Sequence, residues 1–147
     1  MEVTRVVLAE DNESIRKGIW KLLNKAQDIE VVGEARDGIE ALQLVDDYMP
    51  DVLLLDVEMP LLNGIEVARR LKIWKKPVHI LVLSAYDDQE YIQAMFANGA
   101  SGYLVKDEAP RRVLEAIRQV ARGEKGWLSP QIKLRMRGKW KFGNSGS

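Results

Sequence analysis

No cysteine occurs among the 147 residues, and histidine occurs once. The first absence excludes a disulfide framework, thiolate-bound zinc and a cysteine nucleophile; the second leaves a histidine-rich metal site without ligands. Aromatic residues make up only 7% of the chain. No apolar run approaches the roughly 18–20 residues a membrane-spanning helix needs, and the N-terminus carries no secretory pattern. The cytoplasm is therefore the expected compartment, with no membrane partner. What is present suits an ordinary globular domain: 46% hydrophobic and 30% charged residues, too apolar for wholesale disorder and long enough for one substantial core.

Net charge is also absent, with 22 basic against 22 acidic side chains, but the signs are unevenly placed. Residues 133–141 hold five cations and no acid, which leaves 17 cations against 22 acids in residues 1–132, a net of −5. An acidic body precedes a basic tail.

Five short apolar runs, Val3–Ala9, Ile29–Ala35, Val52–Leu55, Val78–Leu83 and Gly102–Val105, alternate with segments of helical spacing such as Ile15, Ile19, Leu22 and Leu23. Val52–Leu55 is unbroken and short, the mark of a strand buried on both faces of a parallel sheet. Gly and Pro fall at or near segment ends, and Pro110 suits the first turn of the last helix. These features predict an α/β fold, (βα)5, with a doubly wound five-stranded parallel sheet in the order 2-1-3-4-5. Such sheets place ligands at the carboxyl ends of their strands.

The chemistry concentrates at those ends. Glu10 and Asp11 follow the first run, and Asp56 closes the third, its neighbour at the switch point of the sheet. Two like charges about 4 Å apart cost about 4 kcal/mol at an effective dielectric of about 20, so three carboxylates together call for a cation. An oxygen-only donor set suits magnesium, or manganese. The plainer alternative is that Glu10 and Asp11 cap the first helix. Ser84 ends the fourth run and Lys106 follows the fifth. Singly, these read as a turn residue and a solvated cation. Together with the three acids they describe a site for a metal and a phosphoryl group carried on a carboxylate.

Leu8-Ala-Glu-Asp-Asn12, Leu53-Leu-Leu-Asp-Val-Glu-Met-Pro60 with Gly64, Leu83-Ser-Ala85 and Gly102-Tyr-Leu-Val-Lys106 resemble the receiver domain of bacterial two-component response regulators, over about residues 3–123. The resemblance implies a flavodoxin-like receiver fold and a phospho-acceptor rather than an enzyme with turnover, with self-catalysed phosphotransfer and autodephosphorylation. In that family Asp56 would take a phosphoryl group from a sensor histidine kinase. Glu10, Asp11, Asp56 and the main-chain carbonyl of Glu58 would hold magnesium. Lys106 would pair with phosphoryl oxygens, Ser84 would supply the switching hydroxyl, and Tyr103 would turn inward, changing the surface of helix 4, strand 5 and helix 5. Glu58 and Tyr86 occupy positions where side chains tune dephosphorylation. Glu10 departs from the commoner aspartate, and Asp107 stands where many receivers carry proline, which leaves the isomer of the Lys106–Asp107 bond open.

Residues 98–107 with Leu114-Glu-Ala-Ile-Arg118 and Leu128-Ser-Pro130 resemble the nitrate-regulator (NarL/LuxR-like) class, whose members continue into a DNA-binding domain. The expected division is a receiver at 1–126 and a basic linker or tail at 127–147. The alternation of Ile132, Leu134, Met136, Trp140 and Phe142 with cations predicts a strand or extended linker. Either a stand-alone receiver acting by protein contact or the N-terminal piece of a transcription regulator fits; no direct DNA binding is expected of this chain, and a homodimer stays open. A haloacid-dehalogenase-type magnesium phosphatase is a poorer match because Glu58 stands where its second aspartate belongs. A flavodoxin-like cofactor binder is poorer still, since Glu10 and Asp11 would repel a phosphate.

Overall fold

The computed structural model describes residues 2–136. Five strands form at the apolar runs: β1 (Thr4–Ala9), β2 (Ile29–Ala35), β3 (Val52–Asp56), β4 (His79–Ser84) and β5 (Gly102–Val105). Each pairs in parallel with its neighbour in the order 2-1-3-4-5. β3 is buried at every position, which accounts for its lack of polar alternation. Helices α1 (Glu13–Asn24) and α5 (Ala109–Ala121) cover one face; α2 (Gly38–Tyr48), α3 (Gly64–Ile73) and α4 (Gln89–Ala97) cover the other. Among the described residues no helix is long and apolar enough to cross a membrane.

Local chemistry sets where the helices after β1, β2 and β3 begin. Asn12, Asp37 and Asn63 each accept a hydrogen bond from the backbone N–H three residues on, at Ile15, Glu40 and Glu66. Caps of this type contribute about 1 kcal/mol each and fix the loops that lead out of the strands. Gly64 opens α3 against β3 so closely that a Cβ there would lie 2.4 Å from the Asp56 carbonyl oxygen. A side chain at 64 would therefore push on the strand end that carries Asp56. Pro110 lies in the first turn of α5, where its missing N–H costs nothing.

Two expectations need correction. The sheet has six strands, because β6 (Trp127–Leu128) pairs in parallel with β5. Residues 127 and 128 therefore belong to the sheet, and β5 is not an edge. Trp127 N–H donates to the Ser101 carbonyl at 3.1 Å, and Ser129 N–H to the Tyr103 carbonyl at 3.1 Å. Two residues carry no period, so only the open edge of β5 reveals this strand. The alternating residues Ile132–Met136 do not form a strand either: Pro130–Met136 form helix α6, with Ile132 inside the core and Leu134 exposed. Pro130 at the first position of α6 favours that helical start. Residues 137–147, the rest of the alternating basic stretch, lie outside the described residues.

The packing of α6 is directly testable. Ile132 is only 1% exposed, so Ile132→Ala should cost about 2–5 kcal/mol in urea denaturation, the usual range for truncating a buried isoleucine. A linker side chain in water would cost nothing measurable.

Candidate functional site

β1 and β3 are adjacent, so the residues that leave their carboxyl ends converge. Carboxylate oxygens of Glu10, Asp11 and Asp56 lie within 4.8 Å of one another. Glu10 and Asp56 are buried while Asp11 is exposed. The capping alternative fails here: Asn12, not Glu10 or Asp11, caps α1. Glu10 instead folds back to accept from Asn12 N–H at 3.0 Å, and Asp56 Oδ1 accepts from Glu58 N–H at 3.2 Å.

Lys106 enters from the end of β5, in the single 3-10 turn Lys106–Glu108 that leads into α5. Its Nζ lies 2.9 Å from Glu10 Oε1 and 3.3 Å from Asp56 Oδ2. The second contact is a hydrogen bond. The first is an ion pair without hydrogen-bond alignment, which leaves the buried Glu10 Oε1 lacking an aligned donor. No cis bond occurs among the described residues, so Lys106–Asp107 is trans.

The carboxylates outnumber the cation, and the electrostatics reflect it. Burial, and next the charge of Glu10, raise Asp56 from its ordinary 3.8 to about 7, against the opposing pull of Lys106 and the Glu58 N–H. Burial works against the Lys106 ammonium, yet Glu10 and Asp56 hold it above the usual lysine value. A buried oxygen without an aligned donor, three convergent carboxylates and no soft ligand together fit a hard divalent cation.

The β4–α4 loop forms the next wall. Ser84 is buried and its Oγ accepts from Tyr86 N–H at 3.0 Å. The Tyr86 phenol donates to Glu58 Oε2 at 2.9 Å and stacks on Tyr91 with ring centroids 5.2 Å apart. Tyr103, for which the resemblance implies an inward turn, is already fully buried, and its hydroxyl donates to the Tyr86 carbonyl at 2.8 Å. Burial pushes that phenol up to about 12. Tyr86 is thus held through its amide, its carbonyl and its ring. Beside it, a groove of about 470 Å³ lined by Asp11, Glu58, Met59, Pro60 and Tyr91 opens next to the acids.

Two groups around the site escape sequence reading. Ser129, just after β6, accepts from Val105 N–H at 2.8 Å, and Glu108 accepts from Gln131 N–H at the start of α6. They tie the C-terminal segment to the turn that carries Lys106. Arg16 is the second. Its Nη1 donates to the Glu10 carbonyl at 2.8 Å, and its Nε lies 3.3 Å from Glu34 Oε1. A signal for Arg16 exists: it falls three and seven residues before the buried Ile19 and Leu23 of α1, a cation on a core-facing stripe.

Because the folded-state value of Asp56 exceeds its ordinary one, the metal-free native state binds that proton more tightly than the unfolded chain does. The stabilisation is complete below about pH 4 and is lost as pH rises through about 7. At pH 8 without metal, Asp56→Asn should be more stable than the parent by on the order of 1–3 kcal/mol. In urea denaturation that advantage should shrink toward zero near pH 4; a pH-independent difference would refute the buried-charge account.

Comparison with known proteins points to one family. The response regulator receiver domain family matches residues 6–118. The chain is 39% identical over 128 residues to the transcriptional regulatory protein DegU of Brevibacillus brevis, covering 87% of this chain and 54% of that one. It is 40% identical over 121 residues to the oxygen regulatory protein NreC of Staphylococcus aureus, covering 82% and 56%. It thus spans about half the length of the curated relatives it matches. Among solved structures, the signal receiver domain of NarL from Mycobacterium tuberculosis superposes with a TM-score of 0.82 at 35% identity, covering 84% of this chain and all of that one. Strand order, converging carboxylates and sequence similarity over most of the chain lead to one assignment: the chain belongs to the response regulator receiver domain family.

Proposed function

We propose that Asp56 accepts a phosphoryl group from a sensor histidine kinase, with magnesium held by Glu10, Asp11, Asp56 and the main-chain carbonyl of Glu58. The observation that carries this reading is the convergence of three carboxylates on one lysine at the strand ends, with Asp56 the buried acid that both Glu10 and Lys106 address. An ionised Asp56 oxygen forms the new bond to phosphorus while the bond from phosphorus to the donor histidine nitrogen breaks. The Glu58 N–H and the Lys106 ammonium favour that ionised form. Magnesium, when bound, supplies the positive charge that keeps the acids ionised and offsets charge on the phosphoryl oxygens.

The product carries about −1.5 to −2 charge, by analogy with phosphoserine, where Asp56 carried −1. Lys106 pairs with that added charge. The Ser84 hydroxyl, at the carboxyl end of β4, turns to donate to a phosphoryl oxygen. Tyr86 accompanies it, because its amide rests on Ser84 Oγ. With Tyr103 bonded to the Tyr86 carbonyl, the change passes into β5 and the surface of α4, β5 and α5. Glu58, whose N–H donates to Asp56, and Tyr86, whose phenol donates to Glu58, set how readily water reaches the acyl phosphate. In a longer protein of the DegU or NreC kind, the readout is control of transcription through a further domain, and a second copy of the chain is a candidate partner.

Incubation with magnesium and a small acyl-phosphate donor should add the mass of one phosphoryl group to the protein. The adduct should be labile at alkaline pH and absent from Asp56→Asn. Lys106→Ala should reduce its yield or its rate by about 100-fold or more, the usual loss when one electrostatic donor to a reacting oxyanion is removed. An adduct that survives in Asp56→Asn refutes the acceptor assignment. Steady turnover of many phosphate esters would favour a phosphatase instead.

A further inference from the structure

Of the three carboxylates, two are held by the protein and one is not. Glu10 accepts from Asn12 N–H and faces Lys106; Asp56 accepts from Glu58 N–H and from Lys106. Asp11 is exposed, and among the described residues its carboxylate has no hydrogen-bond or ion-pair partner. Its direction therefore depends on the backbone that precedes it.

That backbone is the peptide unit joining Glu10 to Asp11. On the near side, Glu10 N–H donates to the Ala35 carbonyl at 3.0 Å, continuing the β1–β2 ladder. On the far side, the Glu10 carbonyl accepts from Arg16 Nη1 at 2.8 Å in a buried contact. A peptide unit is planar, so fixing the carbonyl fixes the Asp11 N–H and narrows the rotation that aims the Asp11 side chain. Arg16 in turn is anchored by Glu34 on β2 and by its own place in the first turn of α1, where its N–H donates to the Asn12 carbonyl at 2.9 Å.

We infer that Arg16 is a positioning residue for the metal site, holding the Glu10–Asp11 peptide so that the otherwise unsupported Asp11 carboxylate faces Glu10 and Asp56. This rests on the metal reading of the site. A cation beside an acidic centre ordinarily serves to neutralise it, as Lys106 does. Arg16 does not: its charge is met by Glu34, outside the three acids, and it gives the site only a hydrogen bond to a carbonyl. Its burial is costly without such partners and acceptable with them. Outer-shell contacts of this type hold donor atoms where a cation needs them, and their loss typically costs 10–100-fold in metal affinity.

The test is magnesium titration by calorimetry on the unphosphorylated protein, paired with thermal unfolding in the absence of magnesium. Arg16→Ala should weaken magnesium binding at least about tenfold, and Arg16→Lys, which can still donate to the Glu10 carbonyl, should recover most of that loss. Glu34→Gln should bind magnesium nearly as the parent does, because the carbonyl contact remains. Should Arg16→Ala fail to fold, Arg16→Met keeps the apolar stem and carries the same expectation. A lowered melting point with unchanged magnesium affinity would overturn the inference and leave Arg16 a packing residue. Equal weakening in Arg16→Lys and Arg16→Ala would also overturn it. If the parent itself binds no magnesium, the metal reading fails and this inference falls with it.

Discussion

Lys106 stands 2.9 Å from one buried carboxylate and 3.3 Å from another, and it is the ammonium that Glu10 and Asp56 share. One positive charge between two buried negative ones, with Asp11 at the rim, leaves the site short of positive charge. At an effective dielectric of about 20, each uncompensated like-charge pair at about 4 Å costs about 4 kcal/mol. The raised pKa of Asp56 follows first from its burial and next from this shortfall, through the charge of Glu10. The shortfall also underlies the proposed functions of the site, since a divalent cation and a transferred phosphoryl group each change the same charge balance. A neutral pocket of this shape would have no comparable response.

A change in that balance has a route outward, because the charged side chains sit on strand ends while the groups they rest on belong to other elements. Lys106 continues β5, and β5 is flanked by β6, so the Lys106 turn is tied through Ser129 and Glu108 to α6. On the other side Tyr103 reaches the Tyr86 carbonyl, and Tyr86 reaches Glu58. A displacement of Lys106 or Ser84 therefore moves parts already bonded to the α4 and α6 surfaces. Coupling of this kind requires a bistable element and not mere connection.

Much of this was legible in the chain. The unbroken apolar run at Val52–Leu55 reads as a doubly buried strand, and the parallel order placed Glu10, Asp11, Asp56, Ser84 and Lys106 at one end of the sheet. β6 was not legible, because two residues have no period and Trp127 becomes a strand only where β5 offers an open edge. Nor was α6: apolar residues at every second position resemble a strand, but Pro130 and the burial of Ile132 favour a helix with Leu134 outside. Arg16 was half legible as a cation on a core-facing stripe, but its partner is a main-chain carbonyl, and carbonyl directions are not written in side-chain patterns.

The sequence by itself determined which residue types close each strand, and hence that an acidic, oxygen-only centre faces a lysine and a hydroxyl. Strand order follows from apolar patterning and short connections, and strand ends follow from order, so that much needs no tertiary detail. Only the tertiary structure decided how those groups are held: that Asn12 and not the acids caps α1, that Tyr103 lies inward on the Tyr86 carbonyl, and that Lys106 is shared between Glu10 and Asp56. These depend on distances between side chains far apart in the chain and on the directions of individual peptide groups. Burial and hydrogen-bond angles settle such choices within fractions of an ångström, a scale that residue order does not encode directly.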